Sequence, residues 1–235
     1  MLHRKSFFSW KFLAAGLLLG CHFVVWTSSL DFTSIASASV AVCTAPLFVV
    51  LLSILFLKRK FTADTIIGLF LAFGGAIILF SNDLFTKPNG ILGVGLGLLA
   101  ALFFAIYILI GEEVRKKEPL FIYVFPVYFI AMFLAVLLTY LNHPTSFTFQ
   151  TFNQREILIL LLLAIFPTIL GHTSVNYLVK TISPTTLTLS GLSEPFFASL
   201  LAIPIFGEIP TFLVVLGGIL TLGGIYVGIR KTKFS

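Results

Sequence analysis

Glu194 is a carboxylate set inside a long apolar run and followed directly by Pro195. Thr186, Ser190 and Glu194 stand four apart, so a helix carries them on one face, with Gly191 and Ala198 beside them. A second polar stripe, Thr168, His172 and Asn176, has the same spacing, with Tyr177 next to it. His22, Trp26 and Ser29 approximate one face further upstream, Ser37 and Thr44 lie two turns apart in line with Ala41, and Tyr107 stands alone. A carboxylate can hold a cation or load and release a proton. Imidazole, carboxamide and hydroxyl groups exchange hydrogen bonds with a polar guest, and an indole ring stacks on one. Each has a plainer reading as well. Glu194 would brace the kink at Pro195 by bonding a neighbouring Ser or backbone group, His172 would be hydrogen-bonded packing, and Trp26 would pack in the core.

These groups do not add up to an enzyme. There is no HExxH, no GxGD, no paired intramembrane aspartates and no nucleophile–base pair at a recognisable spacing. No P-loop occurs, and Gly93-x-Gly95-x-Gly97 follows no strand, so it is not a dinucleotide loop. No cofactor and no metal is expected, because the four histidines lack ligand spacing and Cys21 and Cys43 both fall in apolar segments.

The elements that must position these groups are membrane helices. The chain is 58% hydrophobic and 10% charged, with 27 Phe, and its mean hydropathy is +1.09. That composition predicts an all-α polytopic membrane protein whose partner is the lipid bilayer. The +6 charge does not point to nucleic acid, because its positive residues sit in short clusters between apolar spans. The basic start, MLHRKSFFSWKF, leads into an apolar run with no small-residue cleavage site, which reads as a first helix.

Eight spans are predicted, at residues 12–30, 35–57, 63–80, 90–111, 120–141, 157–179, 184–206 and 212–229. Pro184 falls in the first turn of the seventh, behind Ser183 as N-cap. Ten residues on, at ~1.5 Å each, Glu194 lies ~15 Å into the bilayer, where a carboxylate is costly and suggests function. All Lys and Arg except Lys87 and Arg155 fall on one side of this arrangement. The positive-inside rule then puts both termini in the cytoplasm, in a cytoplasmic (inner) membrane.

The chain also repeats itself. Shifted by 149, Ser34 meets Ser183, Pro46 meets Pro195 and Thr62 meets Thr211, while Gly68, Gly74 and Gly75 meet Gly217, Gly223 and Gly224. An odd number of spans separates the two copies, so the repeat is inverted, a hallmark of secondary transporters with a site near the midplane. Pro46 and Pro195 become a pair of kinks. The glycines read chiefly as helix packing, with a homodimer through one glycine face as the alternative.

Segments 21–62, CHFVVWTSSLDFTSIASASVAVCTAPLFVVLLSILFLKRKFT, and 171–211, GHTSVNYLVKTISPTTLTLSGLSEPFFASLLAIPIFGEIPT, each carry a helix, then small residues, a proline and an apolar run, with a Gly-rich helix to follow. This doubled pattern resembles the EamA domain of the drug/metabolite transporter superfamily. The resemblance implies a ten-helix bundle of two five-helix repeats. Here residues 1–81 would be a partial first repeat of three helices, lacking the first two, and residues 90–230 a complete second one. A start codon set too far downstream is the expected reason, with a true truncation as the alternative. The Glu usual in the first repeat is Arg59, while the second keeps Glu208.

The function this predicts is a secondary transporter moving a small metabolite or drug by alternating access, with proton coupling through Glu194 as one route. Its cavity candidates are His22, Trp26, Ser37, Thr44, Tyr107, Thr168, His172, Asn176, Thr186, Ser190 and Glu194. The alternative is a truncated or accessory membrane subunit that transports nothing itself.

Overall fold

Capping residues decide where several helices start. Ser34, Thr62, Asn153, Ser183 and Thr211 each accept a hydrogen bond from the backbone N–H three residues on. Such caps contribute about 1 kcal/mol each. The structure, a computed structural model, describes residues 10–81, 90–142, 153–207 and 209–230. Arg4, Lys5, Lys87, Glu208, Lys231, Lys233 and most of the polar connection after Asn142 lie outside those residues.

The described chain is helical throughout: α1 Trp10–Phe32, α2 Ile35–Val42, α3 Ala45–Leu55, α4 Ala63–Leu79, α5 Gly90–Arg115 and α6 Leu120–Asn142. Then come α7 Gln154–Leu163, a π-helical stretch Ala164–His172, α8 Thr173–Leu178, α9 Pro184–Gly191, α10 Glu194–Phe206 and α11 Phe212–Ile229. Counting α2–α3, α7–α8 and α9–α10 as single spans, 7 helices are long and apolar enough to cross a membrane. The eighth, α4, has 17 residues, or about 25 Å. This is an integral membrane protein, with eight helical spans among the described residues.

Two spans predicted as continuous are broken. The second span stops at Val42 and restarts at Ala45, and the seventh stops at Gly191 and restarts at Glu194. The cause is the same in both. Pro46 and Pro195 lack the N–H that would continue the ladder, and their rings collide with the carbonyl four residues back. Tight i→i+3 bonds fill the gap, Thr44 N–H to Ala41 O at 3.1 Å and Ser193 N–H to Ser190 O at 3.1 Å. The hydroxyls of Thr44 and Ser193 donate to the same two carbonyls, at 2.6 and 2.7 Å. These residue pairs are related by the 149 shift, so the inverted repeat extends to individual hydrogen bonds.

Helices α4 and α11 meet along a seam of glycines. A Cβ on Gly68 would strike the backbone of Gly224 and Gly228, and one on Gly75 would strike Gly217 and Thr221. The order reverses along the two helices, so they run antiparallel. At the centre of the seam the Thr221 hydroxyl donates to Ala72 O at 3.2 Å. Ala72 and Thr221 are images of each other under the same shift, so a pseudo-twofold axis passes between them. The glycines of this seam pack within the chain, whereas Gly74 and Gly223 face open space.

The remaining core lies between α1, α5 and α6. Gly16 and Gly20 on α1 admit Ile130 and Ala131 of α6 against their backbone. The other side of α6 shows Phe121, Phe125, Phe129 and Phe133, all exposed and spaced by four. A stripe of this kind on a membrane helix faces lipid.

Candidate functional site

Two adjoining cavities, of about 700 and 340 Å³, open between the helix breaks. Both are lined by Val42, Cys43, Phe104, Pro167, His172 and Glu194, so they form one space of metabolite size. The larger cavity runs past Trp26 to Phe80, Ile209 and Val214. The smaller reaches Pro46, Ile108, Thr188 and Leu192.

Local structure explains how each wall is placed. At the α9–α10 break, Glu194 becomes the first residue of a half-helix and projects into the cavity instead of continuing the face of α9. The stripe Thr186–Ser190–Glu194 is therefore interrupted. Thr186 is buried against its N-cap, with Ser183 Oγ 2.9 Å from its Oγ1, and neither Thr186 nor Ser190 lines a cavity.

The His172 stripe is bent in another way. Pro167 removes a backbone donor, and the chain responds with i→i+5 bonding across Ala164–His172. Thr173 N–H bonds Thr168 O, and the Thr168 hydroxyl donates to Leu163 O at 3.4 Å. With more residues per turn, spacing by four no longer marks one face. His172 reaches the cavity, but Thr168 and Asn176 do not.

Asn176 is instead the hub of a closed network behind the wall. Its amide contacts Tyr107 Oη at 2.9 and 2.6 Å and donates to Tyr128 Oη at 3.2 Å and His172 O at 2.8 Å. Arg115 Nε donates to Asn176 O at 2.9 Å. Tyr107 is 0% exposed. These groups satisfy one another and hold α5, α6 and α8 together.

On α2, the face carrying Ser37 and Ala41 packs on α5, where a Cβ on Gly97 would strike Ala41. Ser37 bonds Ser34 at 3.0 Å and Thr44 bonds its own helix, so neither faces the cavity. The exposed wall of this helix is Ile35, Ser39, Val42 and Cys43. Of the predicted candidates, His22, Trp26, His172 and Glu194 line the larger cavity together with the kink residue Pro195, and Pro46 lines the smaller.

Phe23 and Phe104 were missed in the sequence. They join the two histidines in a ring cluster. His22 lies 5.2 Å from both, and His172 lies 5.1 Å from Phe23 and 6.0 Å from Phe104, edge-on. His22 Nδ1 sits 2.9 Å from Ala100 O, and since a carbonyl only accepts, that nitrogen carries a proton. The spacing Phe104–Tyr107 on one helix was the available signal, but among 27 Phe it does not stand out.

One end of the bundle carries a cluster of ion pairs, beside a further cavity of about 420 Å³ lined by Arg59, Glu112, Glu113 and Lys116. Glu112 pairs with Arg59 at 2.8 Å and Lys116 at 3.1 Å, Lys11 pairs with Glu113, and Arg230 pairs with Asp64 at 3.4 Å. Phe80, Ile209 and Val214 of the larger cavity lie at the other end.

The model of the EamA-like transporter family matches residues 2–81 and 91–230. The chain belongs to the EamA-like transporter family. Among curated relatives, an uncharacterized transporter of Archaeoglobus fulgidus is 25% identical over 86% of this chain and 70% of its own length. One of Clostridium kluyveri is 26% identical over 87% and 67%. The uncharacterized transporter YdfC of Bacillus subtilis is 28% identical over 83% and 63%. This family member thus aligns with roughly two thirds of each relative. A solved crystal structure superposes with a TM-score of 0.78 over 95% of this chain and 77% of the other, at 19% identity, which establishes the shared fold.

Proposed function

We propose that this EamA-like chain is a secondary transporter that carries a small metabolite or drug across the cytoplasmic membrane by alternating access, without catalysing a reaction. The observation that carries this is the cavity between two pseudo-symmetric helix breaks, with Glu194 projecting into it. Discontinuous helices meeting at mid-membrane are the usual carrier geometry. Residues 1–81 and 90–230 act as the two repeats, which rock about the α4–α11 seam with Pro46 and Pro195 beside the moving segments. Glu194 is the group that would exchange a proton for substrate.

The Lys- and Arg-rich end is cytoplasmic in this reading, with both termini there. The salt bridges then lie on the inner side and the larger cavity faces outward.

The test has two arms. Cells producing the protein are compared with cells producing Glu194→Gln for the small molecules they retain and release. The expected result is at least one compound redistributed by the first and not the second; identical profiles would overturn the transport reading. For orientation, Cys21 and Cys43 are replaced by Ser, and Phe80→Cys or Lys117→Cys is labelled with an impermeant maleimide in intact cells. Only the cysteine at position 80 should react.

A further inference from the structure

We infer that the cavity selects a monovalent organic cation bearing an aromatic or other flat apolar group. This names the substrate class of the transport site proposed above, and it rests on that reading only for the step of movement across the membrane.

Charge comes first. Among the described residues lining these two adjoining cavities Glu194 is the single acidic one, and none is Lys or Arg. It forms no ion pair with another described residue. The break in the helix does not supply compensation. The carboxylate lies where the C-terminal end of α9 meets the N-terminal end of α10. Those ends carry partial charges of about half a unit each and of opposite sign, so they largely cancel. The carboxylate therefore faces the cavity with no fixed counter-charge among the described residues, and a cation is its complementary guest.

The rings point the same way. Trp26, Phe23 and Phe104 present aromatic surface to the larger cavity, and ring faces attract cations and repel anions. His172 meets Phe23 and Phe104 edge-on, which fixes these rings as a preformed wall. Ser39, Ser199 and Thr188 add hydroxyls, but the Ser199 hydroxyl already donates to Pro195 O at 2.9 Å and that of Thr188 to Pro184 O at 2.8 Å. Ser39 and the rings of His22 and His172 complete a wall whose apolar part is largely aromatic and whose one carboxylate among the described residues is Glu194. A combined space of this size accepts a drug-sized molecule.

Trp26 makes the test direct, because the chain has only one other tryptophan, Trp10, far from the cavity at the start of α1. The full chain carrying Trp10→Phe is placed in lipid nanodiscs, and three probes of matched shape are titrated against Trp26 fluorescence and by calorimetry. They are phenyltrimethylammonium, its neutral isostere tert-butylbenzene, and the anion benzenesulfonate. The expected result is binding of the ammonium at least tenfold tighter than either of the others. Glu194→Gln should lose at least tenfold for the ammonium and leave tert-butylbenzene unchanged. Glu194→Asp keeps the charge and should keep the ranking, which separates charge recognition from misfolding. Equal or tighter binding of benzenesulfonate, binding of none of the three, or indifference to Glu194→Gln would overturn the inference. Cation binding without any metabolite redistribution in cells would instead count against transport and leave the selectivity standing.

Discussion

The two helix breaks have one backbone and two chemistries. At Cys43–Thr44–Ala45–Pro46 and at Leu192–Ser193–Glu194–Pro195 the same proline stops the same ladder, and the same hydroxyl caps the carbonyl three residues back. Ala45 is 4% exposed, uncharged and lines only the smaller cavity, while the Glu194 carboxylate lines both. The helix ends follow suit. Both repeats turn out of the helix through a left-handed residue, at φ 52° for Lys58 and 71° for Gly207, again 149 apart. Symmetry therefore resides in the proline, the caps and the glycines, which shape backbone. Asymmetry resides in the side chains that meet a guest. A scaffold can be doubled without doubling its site.

The largest expected effect tests the shared part. Gly75→Leu and Gly224→Leu, at positions related by the 149 shift, each drive a side chain into the opposing backbone of the seam. Overpacking of this kind costs about 1–3 kcal/mol where neighbours can move, and more here, because the neighbour is backbone. Both variants should fail to yield a monodisperse protein in detergent, to the same degree. A difference between them would break the symmetry argument.

The next test concerns the unshared part. Glu194→Gln should abolish redistribution of the transported compound, and adding Ala45→Glu to it should not restore transport, because Ala45 is nearly covered and lines only the smaller cavity, away from Trp26 and Phe23. Rescue by the double variant would mean that the two breaks are interchangeable.

Thr221→Val removes the hydroxyl that bonds Ala72 O across the axis. A loss of about 1 kcal/mol is expected, read as a lowered Tm with binding of phenyltrimethylammonium retained. The smallest effect is at the left-handed corners. Lys58→Gly should raise stability by about 0.5–1 kcal/mol, since a side chain there is strained. Gly207→Ala should lower it by about 1 kcal/mol. Opposite signs in the melting curves would confirm that these corners are equivalents.

Span number, inversion of the repeat and the two prolines were legible in the sequence because each is written in residue type: apolar length, glycine, proline and clustered charge. The site was legible where one residue fixes its own surroundings. Glu194 beside Pro195 marks a break and a charge together. The rest failed on rotation about the helix axis. Spacing by four presumes 3.6 residues per turn, and Pro167 imposes a wider turn just where the stripe Thr168–His172–Asn176 was drawn. On α2, Ser37 and Ser39 differ by two positions and face opposite walls, and only the close approach of Gly97 to Ala41 decides between them. Tyr107 and Asn176 carry polar atoms that suit a guest as well as each other, and pairing across 69 residues has no local signature.

The glycine seam has a further consequence. Interlocked side chains resist turning, because every ridge must climb over its neighbour. Backbone against backbone has no such teeth, so the contact between α4 and α11 behaves as a bearing. The residues that keep it smooth are the same ones that keep the bundle folded. Gly75 or Gly217 cannot be enlarged to jam the motion while sparing the fold, and a folded but locked protein has to be sought at the rim, among the Arg59–Glu112–Lys116 contacts.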